Sequence, residues 1–183
     1  MKLAIFDLVR CDLSVWARVK KRPSSFFLFM QLVLLEPGFQ MVFLFRLREF
    51  AVRVPLVGRF VRRLMWYWST IWFGSDVGVD LQCAGGLYCP HPFGIVINGQ
   101  CRIGQNVTIL QGVTLGISDD AMEAPNILDG SYLGAGSTVL GRTVVGPFAK
   151  VGAGAVVLVD VPQGETFVGV PARAAGRDRS VTM

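Results

Sequence analysis

The chain has 183 residues, 52% of them hydrophobic, and a formal net charge of +5. That is enough for one domain of ordinary size with a substantial core, and no apolar run reaches the roughly 18–20 uncharged residues that span a bilayer. One histidine and four cysteines (Cys11, Cys83, Cys89, Cys101) without C-x-x-C spacing exclude the usual zinc sets, so no metal is expected.

The N-terminus, "MKLAIFDLVRCD", places Asp7 where a signal peptide needs apolar residues, which points to a cytoplasmic protein without disulfides. Residues 1–73 form a first region carrying twelve Lys/Arg against four Asp/Glu, whereas the remainder carries six against nine. The basic region is also rich in large apolar residues, among them Trp16, Phe26, Phe27, Trp66, Trp68 and Trp72. Such a mixture suits a helical bundle with a solvated rim or a face for an anionic membrane. No nucleic-acid-binding motif accompanies the charge, and nucleic acid is not expected as a partner. Phe43, Leu44, Leu47, Phe50 and Ala51 recur at three and four, which predicts helices punctuated by Pro37, Pro55 and Gly58.

The pattern changes near Gly74. Counting in sixes from Ile97 meets Ile103, Ile109, Leu115, Ala121, Ile127, Leu133, Val139, Val145, Val151 and Val157. Four residues after each comes a small or β-branched residue, apart from Asp119 and Pro125 in "GISDDAMEAPN", a segment too polar for a core strand and expected to be an extruded loop. This six-residue repeat predicts a parallel β-helix over residues 74–176, followed by a tail at 177–183. On this count Cys83, Cys89 and Cys101 fall at the fifth place as small buried fillers. His91, within "CPHPFGIVI", falls at the head of a repeat where an aliphatic belongs. Flanked by Pro90 and Pro92, which cannot donate to a strand ladder, it is expected to turn out of the core on a stiff excursion.

The repeat with its extruded loop, the closing "VGVPARAAG" and the upstream "EPGFQMVFLFRLREF" resemble the serine acetyltransferase branch of the hexapeptide-repeat acyltransferases. Within that branch the chain looks most similar to the O-acetyltransferases of exopolysaccharide biosynthesis of the colanic acid type. The resemblance implies a left-handed β-helix with three hexapeptides per coil, preceded by helices. It also implies homotrimers or dimers of trimers, with acetyl-CoA as donor in the groove between subunits.

With three repeats per coil, residues 18 apart should stack. Gly116, Gly134 and Gly152 then share an edge, and Gly116, Gly134, Ala135, Gly136, Ala153 and Gly154, with Arg173 of the closing motif, become candidate coenzyme contacts. The same glycines serve equally as tight turns.

The resemblance aligns His91 with the family's catalytic histidine, a general base for an acceptor hydroxyl. Asp76, fifteen residues upstream, matches a family aspartate of the acceptor site; it either orients His91, binds an acceptor hydroxyl, or is a plain coil-start aspartate. Two departures stand out. Pro90 replaces an aspartate beside the histidine, and Glu123-Ala124-Pro125 replaces an Arg-His-Pro run whose arginine grips the serine carboxylate.

Glu123 at the acceptor site would repel a carboxylate. The expectation is therefore an acetyl-CoA-dependent O-acetyltransferase acting on a sugar hydroxyl, the saccharide acceptor lipid-linked and the basic helices resting peripherally on the cytoplasmic face of the inner membrane. The alternatives are a serine O-acetyltransferase of cysteine biosynthesis and a non-catalytic β-helix scaffold.

Overall fold

The computed structural model describes residues 4–51, 57–118 and 123–176. Four helices come first: α1 (Ile5–Val19), α2 (Phe26–Leu35), α3 (Pro37–Ala51) and α4 (Gly58–Phe73). The N-terminus of α2 is capped by Ser25, whose Oγ accepts the Leu28 N–H at 3.1 Å. At the other end of the region α4 stops at Gly74, which takes the left-handed φ of 59° that ends helices without a Cβ penalty.

Short strands then stack into three faces of a prism. The first face holds β1 (Asp76–Val77), β3 (Val96–Ile97), β6 (Thr114–Gly116), β9 (Thr138–Leu140) and β12 (Val156–Val157). The second holds β2 (Gln82–Cys83), β4 (Arg102–Ile103), β7 (Asn126–Ile127) and β10 (Val144–Val145). The third holds β5 (Thr108–Ile109), β8 (Tyr132–Leu133), β11 (Lys150–Val151), β13 (Thr166–Val168) and β14 (Arg173–Ala174). All pairings are parallel except β13 with β14, which closes the stack. The fold is the expected left-handed parallel β-helix, of about four turns.

The six-residue count explains the core. From Ile97 to Val157 every described head of a repeat is at most 4% exposed, and so are Cys101, Val107, Val113, Ser131, Ser137, Thr143, Ala149 and Ala155 at the fifth place; Val161, 1% exposed, bridges to Val145 and so takes a head position instead. Full burial of one such aliphatic is worth about 1.5–3 kcal/mol. Two of the polar fillers are satisfied locally: Ser131 Oγ donates to Leu128 O and Thr143 Oγ1 to Leu140 O, each at 2.6 Å. Ala121 and Asp119 lie outside the described residues.

The register corrects the count in the first coil. Cys83 pairs with Ile103 and Tyr88 bridges to Thr108, which sets Cys89 beside Ile109. Cys83 and Cys89 are therefore heads of repeats and not fifth-place fillers; Leu81, Leu87 and Ile95, at most 5% exposed, fill the fifth places instead. Only Cys101 keeps its expected position. The cysteines are nonetheless buried and inert: burial pushes the Cys83 thiol up to about 12 and that of Cys101 up to about 11.

A buried ion pair clamps the helices to this first coil. Arg46 on α3, with no exposed surface, donates from Nε to Asp12 Oδ2 at 2.9 Å, and its other nitrogens reach the carbonyls of Cys83 (2.9 Å) and Ala84 (2.6 Å). Asp12 on α1 also accepts the backbone N–H groups of Gly86 (2.8 Å) and Leu87 (2.9 Å). Arg48 adds two bonds, to the carbonyls of Val77 and Gly78.

Candidate functional site

The first coil is longer than the second, and the difference sits at His91. Asp76 pairs with Val96 and Gln82 with Arg102, both 20 residues apart, whereas Val96 pairs with Thr114, 18 apart. Two extra residues therefore lie between Tyr88 and Val96, at the corner where the third face turns into the first. This displaces His91 from the repeat frame altogether: it is not a head residue turned outward but part of an inserted bulge. Its neighbours Cys89 and Pro92 are buried while His91 itself is exposed.

The bulge is held from three sides. Ser75, 2% exposed, donates its hydroxyl to Pro92 O at 2.6 Å and accepts the Ile95 N–H at 2.9 Å. Phe73 packs at a tilt on Phe93, their centroids 6.4 Å apart. Gly38, in the first turn of α3, abuts the carbonyl of Cys89 with no room for a Cβ. Ser75 is a residue that sequence reasoning missed, since nothing in "FGSDVG" signals its two-sided bond. Ser75→Ala is expected to destabilise the protein by about 1–3 kcal/mol, because the Ile95 amide loses its acceptor in a buried site. Denaturant unfolding checks this, and turnover should fall more than stability alone explains.

The glycine edge exists, but with different members. The extruded loop lengthens its coil to 24 residues, so Gly116 pairs with Leu140 and not with Gly134. The stacked corner residues are instead Gly94, Gly112, Gly136 and Gly154, all with φ between 67° and 70°. Gly112 lies close beneath Gly94, and Gly136 beneath Gly112, as their backbone approaches show. Gly136 and Gly154 are exposed, and a Cβ on either would meet no atom within 4 Å. Gly134 and Gly152 do stack, as expected from their spacing, yet a Cβ on Gly134 would collide with the Ala153 backbone at 2.6 Å, so Gly134 serves close coil packing.

Hydrogen bonding sorts these residues further. The amides of Gly134, Gly136 and Gly154 are consumed by the coils, donating to Val151 O, Gln111 O and Ala135 O at 2.8 Å. The amides of Ala135 and Ala153 find no protein acceptor among the described residues, so the corner presents free N–H donors at these two places. Arg173 is exposed on β14, in the last turn beyond Gly154. The bare column thus runs from the closing turn up to Gly94, three residues past His91.

The remaining predicted residues are placed apart. Asp76 is exposed on β1 and accepts the indole N–H of Trp66 on α4 at 2.8 Å. Among the described residues no hydrogen bond or ion pair joins Asp76 to His91, so the structure does not show Asp76 orienting the imidazole. Glu123, at the end of the extruded loop, pairs with Arg142 at 3.6 Å on the surface. A cation from the next coil therefore stands against Glu123, and the repulsion expected of an unaccompanied carboxylate is offset. Arg142, in "LGRTVV", was invisible to a count that did not know which coils adjoin.

No family model matches the chain. Among curated proteins it is 40% identical to a serine acetyltransferase of Bacillus pumilus over 116 residues, 62% of this chain and 54% of that protein. It is 33% identical to the serine acetyltransferase of Helicobacter pylori over 151 residues, covering 81% of this chain and 87% of the relative. The chain belongs to the serine acetyltransferase family. A solved serine acetyltransferase in complex with CoA superimposes with a TM-score of 0.80 at 30% identity, over 93% of this chain and 69% of that one.

Membership in the serine acetyltransferase family overturns the expected sugar specificity. The similarity extends across both the helices and the β-helix, and the relatives and the solved structure that carry it are serine acetyltransferases. The saccharide acceptor, lipid-linked or otherwise, falls with it; its premise was that Glu123 stands where an arginine would grip the serine carboxylate and adds repulsion, and Arg142, 3.6 Å from Glu123, returns a cation to that surface. The chain spans about half the length of the first curated serine acetyltransferases it matches.

Proposed function

We propose that the protein is an acetyl-CoA-dependent serine O-acetyltransferase acting in the cytoplasm, assembled as a homotrimer with its bare corners in the grooves between copies. The observation that carries this reading is the continuity of the corner column with the bulge bearing His91. A pantetheine arm laid along Gly154, Gly136 and Gly112 meets no side chain, takes hydrogen bonds from the Ala135 and Ala153 amides, and delivers its thioester toward an exposed imidazole. Arg173, in the closing turn, is suited to the anionic end of the coenzyme.

In the reaction His91 takes the proton of the serine hydroxyl as its oxygen attacks the thioester carbonyl. The tetrahedral oxyanion collapses, the carbon–sulfur bond breaks, and the imidazolium returns the proton to the departing CoA thiolate. The products are O-acetylserine and CoA. The bulge contributes by holding the imidazole before either substrate arrives, which turns an encounter into a positioned step.

The test is CoA-thiol release from acetyl-CoA with and without serine. Serine-dependent release, saturating in both substrates, is the expected result. Acetyl-CoA binding by calorimetry without serine-dependent release would overturn the acceptor assignment, and no binding at all would overturn the enzyme reading.

A further inference from the structure

The helical region leaves a large apolar surface that neither the β-helix nor the acetyl-transfer site uses. On α4, Phe60, Leu64, Tyr67, Trp68, Ile71 and Trp72 recur every three to four residues along one face, and all are exposed, Trp72 by 69%. On α2, Phe26 and Phe27 are 79% and 71% exposed, with Leu34 and Leu35 close behind. An apolar groove of about 370 Å³ joins the two helices, lined by Val33, Phe43, Leu47, Trp68 and Trp72. A contiguous apolar patch of this kind marks an interaction surface.

The charges around the patch are mainly of one sign: Glu36 pairs with Lys20 and Asp80 with Arg62, which leaves Lys21, Arg22, Arg59 and Arg63 in excess. α4 carries Arg59, Arg62 and Arg63 and no carboxylate, while Lys20, Lys21 and Arg22 precede the uncharged α2. A second copy docking two-fold by this same face would set that cationic excess against itself. An anionic lipid surface supplies the missing counter-charge and takes up aromatic side chains at the headgroup level.

Spanning is excluded by the packing. With ten residues, α2 is about 15 Å long, half the hydrocarbon thickness. The pair α2 and α3 has the length and apolarity of a span but is bent by 101°, and α3 is committed to the protein through buried Phe39, Val42, Phe45 and Arg46.

We propose that the exposed faces of α2 and α4 seat the protein peripherally on an anionic bilayer, with Trp68 and Trp72 entering the interface and the flanking arginines and lysines meeting lipid headgroups. This goes beyond the acetyltransferase reading and does not depend on it. The experiment is flotation of the full-length protein with vesicles of phosphatidylcholine containing about 30% phosphatidylglycerol, against phosphatidylcholine alone, at low and high salt. Expected is at least about tenfold more bound protein on the anionic vesicles at low salt, lost at high salt as the charges are screened. The variant Trp68→Ser/Trp72→Ser, whose side chains are exposed and whose fold circular dichroism verifies, should lose about tenfold of the flotation with its solution mass unchanged. Absence of flotation, or equal flotation on both vesicles, overturns the proposal. A changed solution mass with undiminished flotation also overturns it and assigns the face to contacts between copies.

Discussion

His91→Asn should lower kcat for acetyl transfer to serine by about 10²–10⁴-fold, the usual contribution of a positioned general base. Asparagine keeps a polar side chain of similar reach but cannot take up the hydroxyl proton. The affinity for acetyl-CoA should stay within about twofold, because the free amides of Ala135 and Ala153 lie in other coils and the bulge is fixed by Ser75, Phe93 and α3 rather than by the imidazole. Steady-state kinetics with calorimetric binding reads both quantities. A fall smaller than about tenfold would remove His91 from the role of base. A loss of binding in parallel would mean that the substitution had collapsed the bulge.

The largest effect on stability is expected at the clamp. Asp12→Ala takes the fully buried partner from Arg46, leaving the half-buried Glu49 at 3.3 Å as its one carboxylate, and leaves the Gly86 and Leu87 amides without acceptors. Breaking one partner of such a pair costs about 3–5 kcal/mol, and for a chain of this size that lowers the midpoint of thermal unfolding by about 10 °C. The double change Asp12→Leu/Arg46→Met should recover part of the loss, since an apolar pair asks for no desolvation. Calorimetry checks both. A single-variant loss below about 1 kcal/mol would show that the pair is not what docks the helices on the coil.

The solenoid was legible because its physics is periodic: an aliphatic head and a small fifth residue recur wherever a coil must fill the same triangular interior. From Ile97 to Val157 the described repeats follow the count, and in the last coil it breaks, since Val161 bridges to Val145 and Phe167 pairs with Val151, both 16 residues apart. Where the count failed, insertions are the reason in the earlier coils and a coil two residues short is the reason in the last. The extruded loop adds six residues, which keeps a six-residue phase intact while moving Gly116 from Gly134 to Leu140. The bulge adds two, which shifts Cys83 and Cys89 into head positions. Periodicity reports which side chains point inward and says nothing of how many residues a corner has absorbed.

The site was legible in part for the same reason. His91 broke the pattern and so drew attention, and the bare corner was foreseen in kind although two of its four glycines, Gly94 and Gly112, were not. Ser75, Trp66 and Arg142 act through contacts between elements far apart in sequence, at 2.6, 2.8 and 3.6 Å. No local motif announces such contacts. Acceptor choice was misjudged on a single missing arginine, because the cation facing Glu123 arrives from a different coil.

The antiparallel closure of β14 on β13 has a metrical consequence. A strand running against the stack cannot seed another parallel coil in register, so the number of turns is finite and set by the chain. Each turn adds one strand spacing of about 4.8 Å, and the three steps from Gly154 up to Gly94 measure about 14 Å. The protein is in this sense a ruler with a stop at one end and His91 near the other, and inserting or deleting one whole coil would change the distance between them by about 4.8 Å.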